Sequence, residues 1–185
     1  MTEKRDEPLI EIAPNLWVGS QADYEALDWT GDFAVCHCCK EPHHRRALGY
    51  SGRGAPKDHP EYLFAERAEG KALMLNLVDV HEPEWIRPEI IDKALEWIAA
   101  HREAGRKVLV HCNQGGSRAP VIAMLALAKT LPAKFTDAEA QFLDVYPYYC
   151  PANGMRQYAM DNWTRYRNGT TSDGKRANDQ HAAPC

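Results

Sequence analysis

The stretch Val108-Leu109-Val110-His111-Cys112-Asn113-Gln114-Gly115-Gly116-Ser117-Arg118 decides how this chain is read. A short apolar run ends in a cysteine, a glycine-containing loop follows, and an arginine closes it. The next residues, Ala119 to Ala128, read as a buried helix. Strand, loop and helix in that order aim backbone N–H groups and a helix N-terminus into one small concavity, which suits an anion such as phosphate. The same positive field favours the thiolate of a cysteine at its base. Gly115-Gly116 lets the amides from Asn113 to Arg118 turn inward without Cβ clashes. Arg118 is placed to clamp anion oxygens through its planar fork. Cys112 is thus a candidate nucleophile beneath a cradle made by Asn113, Gln114, Gly115, Gly116, Ser117 and Arg118.

His111 precedes the cysteine on the same strand. Side chains alternate along a strand, so His111 points away from the concavity and has a structural role, with its imidazole hydrogen-bonded to nearby backbone. A proton donor for a departing oxygen is also needed. Asp79 is the best candidate, because it leaves the apolar strand Leu73 to Val78 at the same sheet edge as Cys112. Glu82 and Glu84 are weaker substitutes.

The remaining segments build a scaffold around this loop. Leu9 to Ile12 and Leu16 to Val18 predict a hairpin turning at Pro14-Asn15. Phe33 to Cys38 predicts a buried strand, and Glu41 to Gly70 a long surface loop with some helix. Ile90, Ile91, Ala94, Leu95 and Ile98 recur at helical spacing within Pro88 to Glu103, and Gly105 ends that helix. Lys107 to His111 is the central strand and Ser117 to Thr130 the buried helix. Thr136 and Glu139 suggest a capping box for a helix reaching about Val145. Ala152 to Arg167 reads as one last helix. Strands separated by helices predict an α/β fold with a central, mostly parallel twisted sheet flanked by helices. The cysteine loop then lies at the carboxyl end of a central strand, where such sheets bind ligands. The expected division is a flexible start (residues 1–8), a single catalytic domain (9–167) and a disordered polar tail (168–185).

Composition fits this picture. The 185 residues are 44% hydrophobic and 26% charged, an ordinary globular balance for one domain. The net charge of -4 argues against a nucleic-acid partner. The longest apolar run is too short to span a bilayer, and the charged start lacks an apolar signal region, so no membrane association and a cytoplasmic location are expected. The six cysteines form no evenly spaced disulfide framework. Cys36, His37, Cys38, Cys39, His43 and His44 are dense, yet their spacing matches no common zinc pattern, so neither a metal nor another cofactor is expected. Nothing in the sequence indicates an oligomeric state.

The loop resembles that of the cysteine-dependent phosphatases with a His-Cys-x5-Arg signature, and specifically their compact dual-specificity branch. The resemblance runs from about Leu9 to Arg167. It takes in the opening Ile12-Ala13-Pro14-Asn15-Leu16-Trp17-Val18-Gly19-Ser20, the upstream Asp79, and Pro151-Ala152-Asn153-Gly154-Met155-Arg156-Gln157 leading into the last helix. The resemblance implies a metal-free phosphatase acting on phosphotyrosine and phosphoserine/threonine of a phosphorylated protein. In it Cys112 forms a phosphocysteine, Asp79 acts as acid and then base, Arg118 and the loop amides hold the oxygens, and Asn153 supports the site. It also suggests Cys38, ahead of Cys39 or Cys36, as a redox partner forming a reversible disulfide with Cys112.

The chain departs from the family at Ala119, where relatives carry a Ser or Thr hydroxyl that stabilises the leaving thiolate. Two other readings therefore stand beside the first: a phosphatase for a non-protein ester such as a phosphoglucan or an RNA 5′-phosphate, and a weakly catalytic protein that binds phosphoproteins. Neutral Asn113 and Gln114 disfavour a highly phosphorylated inositol ring. Trp85, Tyr146, Tyr148 and Tyr149 suit packing better than a glycan surface. The basic run His43 to Lys57 suits a solvated loop better than a docking face.

Overall fold

In the computed structural model, residues 9–27 and 33–169 are described. Six strands form one sheet among them: β1 (Ile10–Ala13), β2 (Leu16–Gly19), β3 (Phe33–His37), β4 (Phe64–Arg67), β5 (Ala72–Leu75) and β6 (Lys107–His111), in the order β1-β2-β6-β3-β5-β4. The three central pairings, β2–β6, β6–β3 and β3–β5, are parallel, and the β1 and β4 edges are antiparallel. Seven α-helices accompany it in the described residues: α1 (Gln21–Ala26), α2 (Arg45–Leu48), α3 (Pro88–Glu103), α4 (Arg118–Ala126), α5 (Phe135–Val145), α6 (Asn153–Asp161) and α7 (Trp163–Arg167). This is the α/β architecture that the sequence predicts.

The apolar run of β6 is explained by its central place, since a parallel strand covered on both faces needs no polar alternation. Val108, Leu109 and Val110 are all fully buried. Val108 and Val110 join Cys36, Leu73 and Leu75 in the main core, into which α3 and α4 pack with Ile91, Ala94, Ile98, Val121, Ile122 and Met124. Leu109 and Val35, one residue out of phase, are buried on the opposite side of the sheet.

Several elements differ from expectation for identifiable reasons. The segment read as a surface loop contains β4, whose burial pattern offers one fully covered position, Ala65, too little alternation to mark a strand. The expected strand at Leu73–Val78 ends at Leu75. Asn76 then donates its amide nitrogen to the Leu63 carbonyl and its side chain to the Tyr62 carbonyl, turning the chain toward Asp79. The last helix is broken at Asn162, whose side chain donates to the Tyr158 carbonyl. The Thr136–Glu139 capping box does not form. The helix begins at Phe135 after Lys134, with no side-chain cap, because Glu139 is committed to Arg156 at 2.7 and 2.6 Å. The expected flexible start (1–8) and most of the expected tail (170–185) lie outside the described residues. No helix among the described residues is long and apolar enough to cross a membrane.

Candidate active site

Cys112 follows β6 directly, and the loop from Asn113 to Ser117 carries the chain into α4 at Arg118. The loop is shaped by what its carbonyls bind. The Asn113 carbonyl accepts from the Gln21 amide at 3.2 Å, that of Gly115 from the Tyr146 hydroxyl at 2.8 Å, and that of Gly116 from the Cys150 amide at 2.8 Å. In a trans peptide the N–H of the next residue points the opposite way. Each outward carbonyl therefore turns one amide (Gln114, Gly116, Ser117) away from the supporting wall and toward the open side. Gly115 adopts φ +74°, and an added Cβ would sit 3.1 Å from the Gly19 backbone, so the turn tolerates no larger residue without movement.

The loop surrounds a cavity of about 480 Å³ that contains Cys112, Arg118, Ser117 and Asp79 in its lining. Cys112 is only 2% exposed. The Arg118 guanidinium is fixed by donating to the Asn113 side-chain oxygen at 2.6 Å and the Leu77 carbonyl at 3.3 Å. Asn113 in turn donates its side-chain nitrogen to the Glu41 carbonyl at 3.0 Å, so a residue expected to offer only its backbone also orients the arginine.

Asp79 reaches the same cavity from the loop after β5. Its Oδ1 accepts from the Ser117 hydroxyl at 2.7 Å, and that hydroxyl accepts from the Ala152 amide at 2.9 Å. With its lone pair taken by Ala152, the hydroxyl is directed to spend its proton on Asp79. The loop is held from the other side by α6. Asn153 donates its side chain to the His81 carbonyl at 3.1 Å, and the Gly154 amide donates to the Val80 carbonyl at 3.2 Å. The contact is so close that a Cβ on Gly154 would lie 2.5 Å from the Val80 oxygen. The structure thus brings the expected acid, nucleophile, arginine and Asn153 into one neighbourhood.

Other residues fall elsewhere. His111 points away from the cavity, as alternation predicts, and besides the expected backbone partner, Cys112, its ring meets another imidazole: His37 Nδ1 lies 2.6 Å from its Nε2. Cys38 is fully buried, with its sulfur 3.7 Å from that of Cys36, and burial pushes its thiol well above the ordinary value. The five described cysteines are free thiols. Tyr146 and Tyr149 are buried packing residues outside the cavity lining, Tyr148 lines the cavity, and Trp85 is exposed and not part of that lining. In the run from His43, His43 and His44 are buried and Arg45 is paired with Glu41 at 2.6 Å, while Arg46, Arg53 and Lys57 are exposed.

Sequence reasoning missed two supports of the site. Glu139 accepts from Tyr149 at 3.0 Å while pairing with Arg156, joining α5, α6 and the cavity wall. Gly154 carried no local signal, since its role is a contact with a loop distant in sequence.

No protein-family model matches the chain. A mouse (Mus musculus) protein, dual specificity protein phosphatase 12, is 28% identical over 130 residues, which cover 70% of this chain and 33% of the relative. The chain therefore spans about a third of the length of that relative. Among solved structures, human DUSP28 superposes with a TM-score of 0.58 at 18% identity, covering 86% of this chain and 94% of the other. The human tyrosine phosphatase-like serine/threonine/tyrosine-interacting protein gives 0.58 at 20% identity, with 86% and 97% covered. Over 86% of its length the chain shares the fold of these structures, and over 70% it is similar in sequence to a dual-specificity phosphatase.

Proposed function

We propose that the unit from residue 9 to 167 is a cysteine-dependent phosphatase that hydrolyses phosphate monoesters of phosphorylated proteins through a phosphocysteine. The observation that carries this reading is the placement of Asp79, far upstream in sequence, in the same cavity as Cys112 and Arg118. A cavity made only to hold an anion has no use for a carboxylate; a phosphoryl transfer does.

In this reading the Cys112 thiolate attacks phosphorus in line, forming the S–P bond as the ester P–O bond breaks. Arg118 and the inward amides hold the equatorial oxygens, the kind of preorganised electrostatic help that dominates phosphoryl transfer. Asp79 gives a proton to the leaving oxygen through Oδ2, the oxygen left over by Ser117. The resulting carboxylate then takes a proton from the water that attacks phosphorus and releases Cys112. Ala119 contributes no hydroxyl to that departing sulfur, which slows the second step relative to the first.

Hydrolysis of para-nitrophenyl phosphate by the full chain and by Cys112→Ser tests the reading. The expected result is turnover by the native chain and loss of on the order of ten-thousandfold or more in the variant. Activity that survives the substitution overturns the mechanism. A redox pairing of Cys112 with Cys38 belongs to the same proposal: peroxide converts Cys112 to the sulfenic acid, and the Cys38 thiol displaces water to form the disulfide. Peptide mapping after mild peroxide is expected to recover the Cys112–Cys38 pair; a sulfinic acid on Cys112 instead counts against it.

A further inference from the structure

We propose that His37, His43 and His111 form a site for one divalent transition-metal ion of the zinc type, on the side of the sheet away from the phosphate loop. One ligating atom from each lies within 4.8 Å of the others, and all three residues are buried. His37 and His111 are register partners on the adjacent parallel strands β3 and β6, so their side chains leave the sheet side by side. His43 comes from the turn after β3 and lays its ring on that of His37, with centroids 3.8 Å apart. The ring of Tyr24 on α1 packs against all three, at 4.9, 5.2 and 4.7 Å.

Hydrogen bonding selects the ligand atoms. His43 Nε2 lies 2.8 Å from the Gln21 side-chain oxygen. A carboxamide oxygen only accepts, so Nε2 carries the proton and Nδ1 keeps its lone pair. A carbonyl oxygen on the far nitrogen is the arrangement that orients metal-bound imidazoles. His37 Nδ1 and His111 Nε2, 2.6 Å apart, share one proton in a hydrogen bond; a tautomer shift that moves this proton to the far nitrogen of its ring leaves both as the other two donors. A tetrahedral ion with bonds near 2.0 Å needs these nitrogens ~3.3 Å apart, so the rings open by roughly 0.7 Å on binding.

The donor set names the class of ion. Three neutral imidazoles without a carboxylate suit zinc, copper or nickel and exclude calcium and magnesium. His44, next in sequence, stands outside the cluster: its ring lies beside Tyr50, with Nε2 2.9 Å from the Glu61 carbonyl. An ion held here ties β3, β6 and the 40–44 turn together beneath the residue that precedes Cys112.

Cobalt(II) and zinc(II) titration of the full chain carrying Cys112→Ser, which removes the competing thiol of the phosphate loop, tests the proposal. One equivalent is expected to bind, with visible d–d absorption of a tetrahedral nitrogen/oxygen site, no sulfur-to-cobalt charge-transfer band, and a raised melting midpoint. His43→Ala is expected to abolish binding, and Gln21→Ala to weaken it by about 10- to 100-fold. Histidine ring 15N spectra of the same protein with zinc report the three imidazoles directly, even if His43→Ala does not fold. A charge-transfer band, binding undiminished by His43→Ala, or unmoved imidazole signals at saturating zinc overturns the proposal and leaves the trio as aromatic packing only.

Discussion

The end of β6 presents two chemistries on two sides. Cys112 lies toward α4, where an arginine, a hydroxyl and a carboxylate meet around open volume. One residue earlier, His111 lies toward α1, where three imidazoles and a tyrosine ring fill the space. Both residues are nearly inaccessible, so burial alone does not distinguish them. Partners do. On one side, charged and dipolar groups are held apart around a gap. On the other, burial strips the rings of protons and leaves neutral donors. The side of a strand on which a residue falls thus decides whether it meets charge or loses it.

Substitutions on the two sides should fail differently. Arg118→Ala is expected to lower kcat/KM for an aryl phosphate by about a thousandfold while the fold persists, measured by steady-state kinetics beside circular dichroism. A loss below tenfold would mean that the amides alone hold the oxygens. Asp79→Asn should cost about a hundredfold with an alkyl phosphate and little with para-nitrophenyl phosphate, whose leaving group needs no proton. Equal losses on both substrates would assign Asp79 to binding instead of proton transfer.

Gly154→Ala probes the join between these chemical groups and their scaffold. Its Cβ meets the Val80 oxygen, so the variant should lose about 2 kcal/mol in urea unfolding and about tenfold in rate. Unchanged rate with lowered stability would separate loop position from activity. On the other side of the sheet, Tyr24→Ala removes a ring that packs on three imidazoles. It should lower stability by about 2 kcal/mol yet change kcat/KM by less than about threefold. A larger rate effect would show that the two sides are coupled.

Much of the site was legible because its grammar is local. The apolar run Val108 to Val110, the glycine pair and Arg118 stand within one short stretch, and alternation alone places His111 on the far side. Asp79 was legible because it follows the apolar run Leu73 to Val78, although the strand itself stops at Leu75. The supports were not, because each depends on a distant partner. Glu139 abandons its cap for Arg156, and Gly154 matters only because Val80 lies against it. The histidine trio needs the register of β3 on β6 and the path of the following turn, neither of which spacing encodes. The β4 strand escaped because an edge with one fully covered position lacks the period-two pattern.

The fastening of the Asp79 loop has a kinetic consequence. Ser117 grips it on one side, and Asn153 and Gly154 grip it on the other. Under the proposed mechanism, an acid stationed in advance spares each turnover a closing motion, so substrate would arrive at finished machinery and product would leave without waiting for a gate. A phosphatase built this way gives up a moving flap's chance to reject poor fits, and its selectivity would have to come from the rim around the opening.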